Sequence, residues 1–245
     1  MICDLLLDHC DCDALAQDVR IGRHWTTVAV RRPQGVQAGL ASALSGPEDH
    51  PHRRPPVRDA GRLLECSAAE LAQMVRSDSV AEASVGLATI NALLHVDVPA
   101  CVEVNAGDVL VERGAGKQVA VVGHFPFIPV VRKAARQLWV LELQPREGDL
   151  PASQAAEVLP QADVVGITGS TLVNHTFDDL VALCRPEAFV MVMGGSTPLT
   201  PLFFELGVDA VAGTYVVDAE AALWAVSQGA TFRQIGGKRL LTLFK

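Results

Sequence analysis

From Lys117 onward the chain repeats one pattern: a short apolar run, then a stretch with helical spacing. The runs are QVAVVG (118–123), QLWVLEL (137–143), ADVVGIT (162–168), AFVMVMG (188–194) and VDAVAG (208–213). Between them lie PASQAAEVL, FDDLVALC, LTPLFFELG and DAEAALWAVSQG. Runs that are apolar throughout predict strands covered on both faces, hence a parallel sheet flanked by helices. Right-handed crossovers then give a Rossmann-like, doubly wound domain. KRLLTLF (238–244) adds an edge strand.

The first part of the chain patterns differently. Residues 2–19, ICDLLLDHCDCDALAQDV, predict one helix with Leu5, Leu6, Cys12, Leu15, Ala16 and Val19 on one face. HWTTVAV and GVQAGLASAL read as two strands about the turn RRPQG. SGPEDHPHRRPPVRDAG (45–61) has no period and reads as a loop. Ser67 with Glu70, and Ser79 with Glu82, announce two helices by the capping-box pattern. The second helix runs through VAEASVGLATINALLH, with Gly86, Ala88 and Ala92 available for close packing. The polar, glycine-containing stretch NAGDVLVERGAGK places the boundary near 105–116. The expected units are residues 1–113, a smaller α+β domain, and 114–245, the Rossmann-like domain.

Composition narrows the class. Of 245 residues, 49% are hydrophobic and only 5% aromatic, so the core is built from Ala, Val and Leu. A net charge of −8 argues against a nucleic-acid surface or an anionic membrane as partner. No apolar run reaches the roughly 18–20 residues that a bilayer requires. The acidic N-terminus is unlike a secretory signal, and six scattered cysteines do not make a disulfide framework. The expectation is a cytoplasmic protein with free thiols; a homo-oligomer is compatible with it.

In an open α/β sheet, ligands bind beyond the carboxyl ends of the strands. The segments there are GHFPF, LELQP, TGSTLVNHT, GGSTPL and GTYVVD, rich in Gly, Ser and Thr. Helix N-termini behind such loops offer free N–H groups to an anionic ligand. The candidates for ligand contact are His124, Phe125, Glu142, Thr168, Gly169, Ser170, Thr171, Asn174, Ser196 and Thr197. Simpler roles exist for several. Thr176, with Asp179 three residues on, reads as a helix cap, as do Thr197 before Pro198 and Thr200 before Pro201.

The stretches IGRHWTTVAV, EASVGLATINALL, GKQVAVVGHFPFIPVVR, LELQPREGDLPASQAAEVLPQADVVGITGSTLVNHT and GGSTPLTPLFFELGVDAVAGTYVVD resemble the family catalogued as domain of unknown function 364, described as "putative heavy-metal chelation". The N-terminal part resembles its companion, domain of unknown function 4213. The resemblance covers most of the chain in family order. It implies an N-terminal domain like that of enolases, a Rossmann-like C-terminal domain, and a site between the two.

Three chemistries compete for these residues. VVGHFPFIPVV has one glycine where a dinucleotide fingerprint has three, and Pro126 and Pro129 remove backbone donors. Glu142, about 20 residues beyond Gly123, nevertheless sits where a ribose-binding acid would be. For metal, Cys3, His9, Cys10, Asp11 and Cys12 lack zinc-knuckle spacing. His50 and His52 flank a proline in the loop and read as solvated. His124 and His175 stand at strand ends and are the candidate metal or acid–base groups, although hydrogen bonding to a loop carbonyl is a competing role. GITGS lacks the second glycine of a nucleophile elbow. The favoured function is metal homeostasis, with a metal ion or an anionic metal-chelating small molecule in the interdomain cleft. The cofactor, if any, would be a transition metal. The alternative is a small-molecule transferase or oxidoreductase with a nucleoside-containing cofactor against Glu142.

Overall fold

Three strands near the N-terminus form an antiparallel meander: β1 (Leu15–Ile21), β2 (Trp25–Arg32) and β3 (Gly35–Ser42). The computed structural model describes residues 1–11, 14–44 and 55–245. Cys12, His50 and His52, named above, therefore lie outside the described residues, as does most of the 45–61 segment. The helix expected over 2–19 is shorter. α1 (Ile2–Asp8) stops at His9, and the chain re-enters as β1. Leu15, Ala16 and Val19 suit either period, and the free edge of β2 decides for a strand, with a bulge between Ala16 and Asp18.

Two helices follow, α2 (Ala68–Gln73) and α3 (Val80–Leu93). The Ser67–Glu70 capping box forms in full. The Ser79–Glu82 box does not. The Glu82 carboxylate instead accepts from Ser77 Oγ at 2.6 Å and from Arg58 N at 2.7 Å and Nε at 2.9 Å. Burial pushes the Glu82 carboxyl up, but these donors outweigh it and hold it below the ordinary range. α3 is buried nearly all round, as its mixed Ala, Val and Leu faces require. It lies flat on the small sheet because Gly39 has no side chain: a Cβ there would stand 2.2 Å from the Ala88 carbonyl oxygen.

The stretch expected to be a polar connection is α4 (Ala106–Gly114), started by Asn105, whose side chain accepts from Gly107 N at 2.8 Å. Val109 and Leu110 bury against the large sheet. The remaining elements are β4 (Gln118–Val122), α5 (Ile128–Ala134), β5 (Gln137–Glu142), β6 (Leu150–Pro151), α6 (Ala155–Val158), β7 (Val164–Thr168), α7 (Phe177–Ala182), β8 (Phe189–Met193), β9 (Ala210–Val216), α8 (Ala219–Ser227) and β10 (Lys238–Phe244). LTPLFFELG makes a 3-10 turn, Pro201–Leu206, rather than an α-helix.

The seven strands stand in the order β6-β5-β4-β7-β8-β9-β10. All neighbours are parallel except β9 and β10. The chain runs outward from β4 to β6, then crosses to β7 and runs the other way. The strand order thus reverses between β4 and β7, where such sheets open a crevice. Together these elements are a mixed α/β fold: a large, mostly parallel sheet with a small antiparallel unit against its end. No helix among the described residues is long and apolar enough to cross a membrane.

Candidate functional site

The carboxyl ends of the large sheet face β2 and β3 of the small one, and a cavity of about 870 Å³ lies between them. Its floor comes from the loops after β4, β5, β7 and β8. Gly123 (φ +100°) and Gly194 (φ +112°) turn two of these loops where a side chain would be strained. Gly195 lets two rings settle over the strand end, since a Cβ there would be 2.6 Å from both Trp25 and Phe232. Those rings pack against each other with centroids 4.9 Å apart and planes tilted by 36°. Phe125 and Phe127 form a second pair at 5.0 Å, nearly parallel.

The expected site residues divide into two groups. His124, Phe125, Glu142, Thr168, Ser170, Thr171 and Asn174 line the cavity. Gly169, Ser196 and Thr197 lie behind its wall. Gly169 presses on Thr197, and Ser196 is 1% exposed. Ser196 Oγ accepts from Ser42 N at 2.8 Å and shares a hydrogen bond with Ser42 Oγ at 2.8 Å. Ser42 Oγ also meets Ser170 Oγ at 3.1 Å. Asn91 Nδ2 donates to Leu40 O and to Ser196 O, joining α3, β3 and the loop after β8. The hydroxyls therefore weld the small sheet to the large one.

His175 does not reach the cavity; its Nε2 is bonded to the Val75 carbonyl at 2.7 Å, and its backbone adopts φ +59°. The loop-carbonyl role holds for it. Thr176 precedes α7, but its Oγ1 bonds Asn174 Oδ1 at 2.7 Å instead of capping. Thr200 caps Leu202 N at 3.4 Å, whereas no helix begins at Thr197, whose Oγ1 is buried without a partner.

His124 is held at two points. Its backbone N donates to Glu142 Oε1 at 2.7 Å, and its Nδ1 meets Asp149 Oδ2 at 3.1 Å. The Asp149 side chain is 3% exposed and also accepts from Arg146 N at 3.1 Å. A carboxylate only accepts, so Nδ1 carries the proton and Nε2 is the ring nitrogen left for the cavity.

Sequence reasoning missed Asp149, Trp25, Ser42, Phe232 and Arg233. The last four line the cavity from distant segments. Nothing in local spacing marks them; only Gly194-Gly195, beneath two of the rings, left a trace in the chain.

The donors among the described residues do not suit a bare heavy-metal ion. Among the described residues no three His, Cys, Asp or Glu side chains stand together as a ligand set, and no cysteine lines the cavity. Burial pushes the Cys184 thiol up to about 11; burial, then Asp178 and Asp4, do the same for Cys3. Cys66 and Cys101 are also raised by burial. Soft metals bind thiolates, and none of these four cysteines lines the cleft.

Comparison with known proteins places this architecture. A crystal structure of a protein of unknown function from Desulfitobacterium hafniense, in the family of domain of unknown function 364, superposes with a TM-score of 0.83 at 27% identity, covering 100% of this chain and 98% of that one. A second member, from Pyrococcus horikoshii, shares the fold with a TM-score of 0.84 at 20% identity over 100% and 98% of the two chains. An uncharacterized protein of Methanocaldococcus jannaschii is 28% identical over 163 residues, which are 63% of this chain and 62% of that protein. The alignment therefore spans under two thirds of that relative's length. Residues 3–94 match domain of unknown function 4213, described as "Putative heavy-metal chelation". Residues 105–245 match domain of unknown function 364, which carries the same description, and the chain belongs to that family.

Proposed function

We propose that this protein binds a small organic chelator, or the metal complex of one, in the cleft between the unit 1–113 and the unit 114–245. The observation that carries this reading is the cavity itself. It is about 870 Å³, within the range of pockets that enclose organic ligands, and apolar side chains with a few polar groups make its walls. His124, Thr168, Ser170, Thr171 and Asn174 offer hydrogen-bonding groups along one side. Such a lining grips an organic molecule and leaves the metal, as cargo, to that molecule's own donors. Metal homeostasis in the cytoplasm is the corresponding role, and it agrees with the family description.

Equilibrium dialysis tests this. Purified protein is dialysed against Ni²⁺, Cu²⁺, Zn²⁺ or Cd²⁺, free or complexed by a polycarboxylate such as citrate. Retention of a complex near one per chain, lost in His124→Leu, is the expected result. Stoichiometric retention of the free ions, unchanged in His124→Leu, would overturn it.

A further inference from the structure

The two ends of the cavity differ in chemistry. At the β5–β6 end, Glu142 is the last residue of β5, and two backbone groups fix its carboxylate. Oε1 accepts from His124 N at 2.7 Å and Oε2 from Leu143 N at 3.1 Å. No Lys or Arg among the described residues forms an ion pair with it. The cationic side chain in the lining, Arg233, follows Phe232 in the sequence, in the segment that carries the opposite roof.

Each carboxylate oxygen has two lone pairs. One on each is used, and one on each remains. A fixed carboxylate without a cation repels phosphate and favours a pair of neutral O–H donors. The adjacent loop agrees, because Pro126 and Pro129 offer no N–H to a diphosphate. β5 and β6 pair Leu141 with Leu150 and Glu142 with Pro151, and Leu143 and Ala152 are the next residues of the two segments. With Ala155 they make an apolar wall next to Glu142. A hydroxyl pair bonded to the acid would place an attached flat ring against that wall.

We propose that the β5–β6 end of the cleft binds a nucleoside-type molecule without a phosphate, its ribose diol on Glu142 and its base on Leu143, Ala152 and Ala155. The site stands beside the reversal of strand order between β4 and β7, where open α/β sheets take nucleosides. The cavity continues past Phe125 and Thr168 to Trp25, Thr214 and Phe232, leaving room for a second molecule. The assignment rests on the reading of the cleft as a ligand site and names one of its occupants.

Calorimetric titration with adenosine, its 5′-methylthio derivative, 2′,3′-dideoxyadenosine and NAD is the test. An intact diol should bind, and binding should weaken at least tenfold when the diol is removed, since two hydrogen bonds to a charged group are lost and one alone accounts for about tenfold. Glu142→Gln should show a similar loss for the diol compound and little further loss for the dideoxy one. Gln keeps an acceptor for His124 N, and an unchanged melting curve shows that the variant is folded. No binding of either diol compound at millimolar concentration, or equal affinity for the dideoxy compound, would overturn the assignment. If the metal complex is still retained and lost in His124→Leu, only the nucleoside falls; if neither binds, the cleft reading falls as well.

Discussion

Two polar regions meet the same cavity and do different work. In the seam, Ser42, Ser170 and Ser196 satisfy one another at 2.8–3.1 Å, and Ser196 is buried. At the rim, Glu142 and His124 are oriented by backbone and carboxylate partners yet keep acceptor sites free for a ligand. Both arise from small or polar residues at strand ends. The difference lies in what faces them. The seam meets the end of β3, which supplies an N–H and a hydroxyl. The rim meets open space. Polar content at a strand end therefore does not by itself mark a ligand contact.

The comparison breaks most forcefully at Gly169. A Cβ there would stand 2.4 Å from Thr197 Oγ1 and 2.7 Å from Thr197 N. The second neighbour is backbone, so it cannot step aside. Gly169→Ala should cost roughly 3 kcal/mol, as overpacking of a tight site does. A melting temperature lowered by about 6 °C or more would show it. An unchanged melting temperature would mean that the loops after β7 and β8 are not pressed together.

The fold was legible in the chain where one physical demand acted alone. Val119–Val122 and Val164–Ile167 must be covered on both faces, and such runs read as central parallel strands whatever surrounds them. Legibility failed where tertiary partners arbitrate. Leu15, Ala16 and Val19 fit a helix face but complete the edge of β2. Asn105–Gly114 looks polar, yet Val109 and Leu110 suffice to bury α4. Ser79 and Glu82 have capping spacing, but Arg58 and Ser77 claim the carboxylate. At the site, the strand-end rule located the floor. The roof, from Trp25, Ser42 and Phe232, depends on contacts between segments far apart in sequence.

The pH dependence of stability sharpens the contrast, because the three serines of the seam do not titrate. An alkaline loss should come from elsewhere, from the buried thiols of Cys184 and Cys3. The folded Cys3 thiol is pushed up to about 11 from the ordinary 9.0 by burial, with Asp178 and Asp4 adding to it and Arg76 and the N-terminus opposing. The protonated thiol is favoured in the fold, so its contribution is full below pH 9 and is lost as pH rises toward 11. Two units correspond to roughly 2–3 kcal/mol. Chemical denaturation of wild type and Cys3→Ala at pH 8 and pH 10.5 checks this. The wild type should lose more stability over the interval than the variant, and parallel losses would assign the alkaline transition to other groups.

Ser196→Ala tests the seam by removing the acceptor for Ser42 N. Leaving that N–H without a partner costs about 1–3 kcal/mol. Ser196 does not touch the cavity, so retention of the metal complex should persist in the folded fraction. A variant as stable as the wild type but unable to retain the complex would move Ser196 from the seam to the site.

The smallest effect is expected at Thr197, the seam's neighbour. Its side chain is 1% exposed, and Oγ1 is buried without a partner. A hydroxyl in that state has already lost its hydration, so replacing it by a methyl of similar size removes a penalty and no bond. Thr197→Val should therefore leave stability unchanged or raise it by up to about 1 kcal/mol. The same change at a hydroxyl that works, Thr171→Val, loses the bond from Oγ1 to Thr168 O at 2.6 Å and should cost about 1 kcal/mol. Urea unfolding of the two variants side by side reads the difference. Destabilisation of Thr197→Val as large as that of Thr171→Val would show that Thr197 Oγ1 has a partner in solution, a bridging water or a ligand group, and would extend the site behind the wall of the cavity.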